Sequence, residues 1–279
     1  MRNLRHACVA GTFYPAEPSR LRAEIDACFA QRARATPAST AGRTDKRVKA
    51  LIVPHAGYLY SGPVAASAYA SLESQADQIH RVVLLGPAHR MPFKGLALSA
   101  ADAWETPLGS VPVARSVCKE LLAFAQVREL DTAFDGEHSL EVQLPFLQHL
   151  LGNFDLVPLL VGAASPTEVV EVLESLWGGA ETLIVISSDL SHFLDDASAR
   201  ALDAQTATAI LRLEPDLIGP EQACGRYPLR GLLTMAQERG LKPEQLDLRN
   251  SSQTAGTPDR VVGYGAYAFH ESPDSGCHK

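Results

Sequence analysis

The chain lacks a Cys-x-x-Cys pair, an apolar run long enough to cross a bilayer, and any excess of positive charge. Its five cysteines (Cys8, Cys28, Cys118, Cys224, Cys277) are odd in number and scattered, which argues against a disulfide framework and for a reducing cytoplasm. No positive-then-apolar segment opens the sequence, so neither a signal peptide nor a membrane anchor is expected. With 25 Lys and Arg against 32 Asp and Glu, the net charge is −7. That leaves no basic footprint for nucleic acid or an anionic membrane. What remains is ordinary for a soluble globular protein: 46% hydrophobic and 20% charged residues over 279 positions. This length suits one large α/β domain, or two small ones.

One sequence pattern occurs three times. Leu51-Ile52-Val53 runs into Pro54-His55-Ala56-Gly57, Val82-Val83-Leu84-Leu85 into Gly86-Pro87-Ala88-His89, and Leu183-Ile184-Val185-Ile186 into Ser187-Ser188-Asp189-Leu190-Ser191-His192. Each apolar run reads as a buried strand, and each delivers a histidine just beyond its carboxyl end. In open α/β sheets that edge is where ligands bind.

Between these strands the pattern alternates. Helices are expected over Leu21–Phe29, Val64–Leu72 (opened by Gly62-Pro63), Val113–Gln126, Pro166–Trp177, Ala197–Leu211 and Leu229–Arg239. Another helix carries Leu140, Leu144 and Leu147, with Pro145 expected to kink or shorten it. Further strands are expected at Gly95–Ser99, at Leu156–Gly162, where Pro158 suggests an edge or a bulge, and at Arg260–Phe269. Residues 35–46 are small and polar and read as a flexible surface loop; 271–279 read as a polar tail. No internal repeat is present, and one α/β domain is the economical reading.

The bland alternative for His55, His89 and His192 is that they hydrogen-bond and fix their loops; three in matching positions favour a site. His6, His80, His149, His270 and His278 read as solvent or packing residues. Cys224 stands between helix breakers, beside Arg226 and ahead of an apolar helix, a setting that favours its thiolate. An inert buried cysteine is the equal alternative. Glu137 caps a helix or joins the site, and His138 orients a metal-bound group or contacts a ligand. Asp189 either sets a histidine tautomer or caps a turn. Phe13 and Tyr14 read as core or pocket wall.

Taken together, these stretches resemble the Memo family, the family of AmmeMemoRadiSam system protein B. The resemblance is carried by Pro54-His55-Ala56-Gly57-Tyr58, Gly86-Pro87-Ala88-His89, Glu137-His138-Ser139 with Leu144-Pro145, Ser187-Ser188-Asp189 with His192, Cys224-Gly225-Arg226 with Pro228, and Val261–Phe269. It runs from about residue 10 to 270. It implies an α/β sandwich around a mixed central sheet, similar to class III extradiol dioxygenases, which use non-haem iron. It further implies a metal held by His55, His89 and Cys224, with Cys224 where the dioxygenases have a carboxylate. His192 would be the acid–base histidine, Asp189 its neighbour, and His138, Glu137, Phe13 and Tyr14 the pocket. Iron or copper is the metal the resemblance implies; two imidazoles and a thiolate also suit zinc. The expected activity is redox chemistry on a small substrate. The alternatives are a non-catalytic metal- or peptide-binding protein with a vestigial pocket, and a zinc hydrolase. Phe13 stands where animal members carry the first aromatic of a Trp-Tyr pair, a departure that bears on peptide recognition and not on the metal site. A functional link to a radical SAM protein is implied by resemblance alone.

Overall fold

The computed structural model describes residues 3–32 and 47–271. The expected surface loop, and all but the first residue of the expected tail, lie outside the described residues, as do Cys277 and His278. In chain order the elements are β1 (Leu4–Arg5), α1 (Pro18–Gln31), β2 (Val48–Val53), α2 (Tyr58–Ala70), β3 (Arg81–Pro87), β4 (Leu96–Leu98), β5 (Ala103–Thr106), β6 (Gly109–Pro112), α3 (Arg115–Leu121) and β7 (Val127–Glu129). There follow α4 (Leu144–Leu151), β8 (Asp155–Val161), α5 (Pro166–Ser175), β9 (Thr182–Ser187), β10 (His192–Leu194), α6 (Asp196–Leu211), α7 (Arg226–Arg239), β11 (Lys242–Asn250) and β12 (Val261–His270).

The chain is an α/β protein built on a large mixed sheet in the order β10-β12-β2-β9-β3-β8-β4-β7, with β11 also paired to β12. Its centre is parallel: β2 pairs with β9, β9 with β3, and β3 with β8. These strands are buried along nearly their whole length. That is why they read as continuous apolar runs and not as alternating ones: helices cover the sheet. The antiparallel β12 closes one side against β2, and β4 pairs antiparallel with β8 on the other. A second, three-stranded sheet joins β1, β5 and β6.

Four sequence expectations change, each for a backbone reason. α2 starts at Tyr58 and contains Pro63 instead of being opened by it. The helical hydrogen bond Pro63 cannot make would fall to the carbonyl of Leu59, an exposed residue where water can replace the lost donor. Pro145 does not kink α4; it is the second residue of that helix, where the missing N–H would be unpaired anyway. Pro158 lies in an interior strand. The Leu156 carbonyl accepts from Ala114 N–H, and the two-residue alternation points Pro158 the same way. It therefore falls between the Val113 bridge and the first β4 pairing at Leu159, where no donor is required. The helix expected over 113–126 is confined to α3. The strands β5, β6 and β11 were not anticipated; β11 is polar and only partly buried because it is an edge.

Close approach of helices depends on small residues. A Cβ at Gly231 of α7 would sit 2.3 Å from Val169 Cγ1 of α5. Gly231→Ala should therefore cost about 1–3 kcal/mol through overpacking, exceeding the roughly 1 kcal/mol of helix propensity that alanine returns. Because the added Cβ would also lie 2.5 Å from Val169 Cβ, only a Val169→Gly background removes the clash, and there the same change should become neutral or stabilising. Urea denaturation of the four proteins checks this, and equal effects in both backgrounds would refute the contact.

Candidate metal site at the strand ends

Parallel pairing brings the three histidine-bearing loops to one edge. Val53 lies beside Ser187, and Leu85 beside Ile186, so the residues that follow β2, β9 and β3 emerge together. His55 is buried, and its backbone N–H donates to Asp189 Oδ1 at 2.7 Å. Its Nδ1 lies 3.0 Å from Ser187 Oγ. The Ser187 hydroxyl gives its one proton to the Ser139 carbonyl at 2.5 Å. It also accepts from Gln143 Nε2 at 2.8 Å. With that proton committed, Ser187 can only accept from the imidazole, so His55 carries its proton on Nδ1 and Nε2 is a bare lone pair. Gln143 is itself fixed, donating to the Pro54 carbonyl and accepting from Tyr69 OH.

His89 follows the same rule with a stronger partner. Its Nδ1 donates to Glu137 Oε1 at 2.9 Å, and its backbone N–H donates to Glu137 Oε2. The same carboxylate takes the N–H groups of His138 and Ser139, each at 2.9 Å. Burial opposes ionisation of Glu137, but the His89 side chain and these backbone donors outweigh it and hold the carboxyl down at about 2. Glu137 is thus a carboxylate held ionised, and it fixes the His89 proton on Nδ1.

His138 completes the group. One ring nitrogen from each of His55, His89 and His138 lies within 4.8 Å of the others. His138 stacks on His89 with centroids 4.8 Å apart, and Phe13 packs on it at 4.5 Å. Burial, opposed by the Glu137 charge, lowers the His138 pKa to about 4. Burial and the neighbouring His89 and His138 lower that of His55 well below the ordinary value. Both rings are therefore kept neutral at physiological pH, the form that offers lone pairs.

Cys224, in the loop before α7, touches His55, its Sγ 3.2 Å from Nε2, but the mutually close group is the three histidines, with His138 and not Cys224 as its third member. Gly225 permits this approach: a Cβ there would meet Ser188 Cβ at 2.7 Å. Of the two readings of Cys224, the buried thiol is the one the structure favours. Burial, reinforced by the Asp189 charge, pushes the thiol up to about 12, and the Arg226 guanidinium donates to Tyr227 OH. The Cys224 thiol donates to the bare His55 Nε2. The role expected of Asp189 also changes. The Nδ1 of His192 donates to the Leu190 carbonyl at 2.8 Å, while the Asp189 carboxylate accepts the His55 backbone N–H. Burial, opposed by that hydrogen bond, raises Asp189 to about 6. The His192 proton is thus held on Nδ1, and its Nε2 has no hydrogen-bond partner among the described residues. Phe13 and Tyr14 line an adjoining groove of about 800 Å³ with Arg20, Leu59 and Tyr60. Tyr14 is additionally tied to Glu141 by its hydroxyl at 2.8 Å. Of the histidines set aside, His6, His149 and His270 pair with Glu105, Asp26 and Glu244 away from the site.

Sequence reasoning did not assign roles to Ser187, Ser139 or Gln143. Each contributes through a tertiary hydrogen bond, and the only sequence signal is that they fall within the motifs Ser-Ser-Asp and Glu-His-Ser-Leu-Glu-Val-Gln.

The tautomers are directly testable by nitrogen NMR of the imidazoles. His55, His89 and His192 should all show Nδ1–H at neutral pH, and His138 should not protonate between pH 7.5 and about 5. Because the folded pKa of His138 is depressed, the unfolded chain takes up its proton first. This group should therefore make the protein less stable as pH falls from about 6.5 towards 4. An Nε2–H form of His55, or titration of His138 above pH 6, would contradict the geometry.

Comparison with known proteins fits this arrangement. Residues 5–268 match the Memo-like protein family. A MEMO1 family protein of Sulfolobus acidocaldarius is 34% identical over 95% of this chain and 99% of its own length. One of Methanococcoides burtonii is 36% identical, covering 94% of this chain and 98% of that protein. The crystal structure of an uncharacterized Escherichia coli K12 protein superposes with a TM-score of 0.51. It covers 80% of this chain and 99% of that one at 12% identity, a likeness of fold alone. With a family match over residues 5–268 and relatives matched nearly end to end, the chain belongs to the Memo family.

Proposed function

We infer that this protein binds one transition metal ion at the histidine cluster and acts as a redox enzyme, dioxygenase-like, on a small substrate. The observation that carries the reading is the convergence of three imidazoles, two of them with Nδ1 tied to the protein so that Nε2 is the nitrogen left to bind a metal. Neutral imidazoles oriented by a carboxylate or hydroxyl behind them are the usual preparation for a metal ligand. His55 and His89 are the two common donors. Cys224, within reach of His55 Nε2, supplies the sulfur, and His138 supplies a further imidazole. A set of imidazoles with one thiolate is soft and electron-donating, which favours iron or copper and also accommodates zinc.

When bound, the metal would supply a redox centre and a Lewis acid for a chelating substrate. The remaining work belongs to the chain. Glu137 keeps His89 in one tautomer, and the Ser187–Gln143 network does the same for His55. His192, whose Nε2 has no hydrogen-bond partner among the described residues, is placed to accept a proton from a substrate hydroxyl, and the Leu190 carbonyl holds its ring. Phe13 shields one face of His138, and the groove beside it is the route by which a substrate or a peptide segment would enter.

Elemental analysis of protein purified without oxygen, beside single variants, tests this. Iron or copper at about one equivalent is expected, falling at least about tenfold in His55→Ala and His89→Ala, with Cys224→Ser changing the preferred metal. His192→Ala should retain metal and lose oxygen consumption with a substrate panel. Full metal retention in the His55, His89 and Cys224 variants would overturn the site. Metal binding without turnover would favour a binding protein that has kept the pocket. Zinc with oxygen-independent turnover would favour a hydrolase.

A further inference from the structure

Next to His192 the backbone adopts a conformation that its side chain disfavours. Phe193 has φ +61°, one of two non-glycine residues in the left-handed region among those described. The cause is a register shift between His192 and Leu194, where β10 pairs with the start of β12. Such bulges re-aim neighbouring side chains, and glycine or asparagine ordinarily occupies the strained position. Here it is a phenylalanine, and its ring is 61% exposed, so burial does not repay the strain. The ring has two neighbours. The His192 imidazole meets it edge-on with centroids 5.7 Å apart, and the Arg260 guanidinium lies over it at 4.8 Å.

Arg260 directly precedes β12, on the strand that β10 pairs with. Among the described residues it has no ion pair and no hydrogen bond; the Phe193 ring is its partner. What sets Arg260 apart is that its guanidinium lies over an aromatic ring with its N–H donors unengaged among the described residues. The other arginine contact at these loops differs: Arg226 is already bonded to a tyrosine hydroxyl. An aromatic face beside His192 and an unengaged fork of N–H donors form a two-part recognition element. A planar anion matches it, with its charged group on the guanidinium and its apolar part against the ring.

We propose that Phe193 and Arg260 form an anion-recognition element at the rim of the site, which takes the carboxylate or phosphate of a small aromatic ligand and sets it against His192. Phe193 holds Arg260 in position, and Arg260 supplies the charge. The cost of the strained bulge is then the cost of presenting this pair. The element lies outside the metal donors, so it does not depend on which metal, if any, is bound.

The test is an NMR titration of the full chain with benzoate, phenyl phosphate and neutral benzamide, following the Arg260 side-chain Nε–H and the Phe193 amide. Benzoate or phenyl phosphate should shift both signals to saturation, with benzamide binding about tenfold more weakly; the stronger of the two anions identifies the ligand group. Arg260→Gln should abolish the preference for the anion. Phe193→Leu should weaken binding of both anions, because the ring is lost. Phe193→Gly should do the same while leaving thermal stability unchanged or higher, since glycine adopts the left-handed conformation freely. Equal binding of benzamide and benzoate would overturn the proposal, as would an anion preference that survives Arg260→Gln.

Discussion

The parallel pairing of β2, β9 and β3 is the constraint on which the site depends. Parallel neighbours point the same way, so their carboxyl ends must share an edge, and the register decides which loop residues face one another. With Val53 opposite Ser187, Pro54 and His55 leave β2 where Ser188 and Asp189 leave β9. The His55 N–H can then reach Asp189, and its ring can reach Ser187. A slip of one residue would turn every strand side chain to the opposite face and separate these partners. Register is held by the burial of apolar side chains on both faces. The free energy that folds the core is thus also what aligns the site.

Two buried carboxylates on one turn then connect the sheet to its surroundings. Glu137 draws together the N–H groups of His89, His138 and Ser139. Glu141, four residues on, accepts from the N–H groups of Cys8 and Val9 and from Tyr14 OH. A buried carboxylate is tolerated only when it is this fully hydrogen-bonded. Glu141 fixes the segment that carries Phe13, and Phe13 packs on His138. The amino-terminal segment is therefore a wall of the site, held by a charge in the same turn as the residue it covers.

Much of this was legible in the sequence, for identifiable reasons. Buried parallel strands are unbroken apolar runs, and their ends are marked by proline, glycine or serine, so β2, β3 and β9 and their histidines could be read directly. Helix starts were harder. Pro63 and Pro145 mark positions near a beginning, but tertiary contacts decide how many residues precede them. The partly exposed β11 and the short β5 and β6 have little apolar signal. At the site, the residues that meet could be named, but their partners could not. The serine that orients His55 and the carbonyl that holds His192 are consequences of loop geometry. The sequence leaves thiolate and buried thiol as equal readings of Cys224, because it shows the adjacent Arg226 but not the burial and the Asp189 carboxylate that favour the thiol.

These electrostatics bear on how the histidine cluster would meet a cation. His55 spends Nδ1 on Ser187 and meets the Cys224 thiol at Nε2, and His89 spends Nδ1 on Glu137. One ring nitrogen of each gathers with one of His138. Lone pairs facing one another in a buried, poorly solvated space repel. Burial keeps His55 and His138 from relieving that repulsion by taking up protons. Glu137 remains ionised beside them. Neutral donors with a fixed anion behind them form an arrangement that a divalent or monovalent cation relieves and that protons do not.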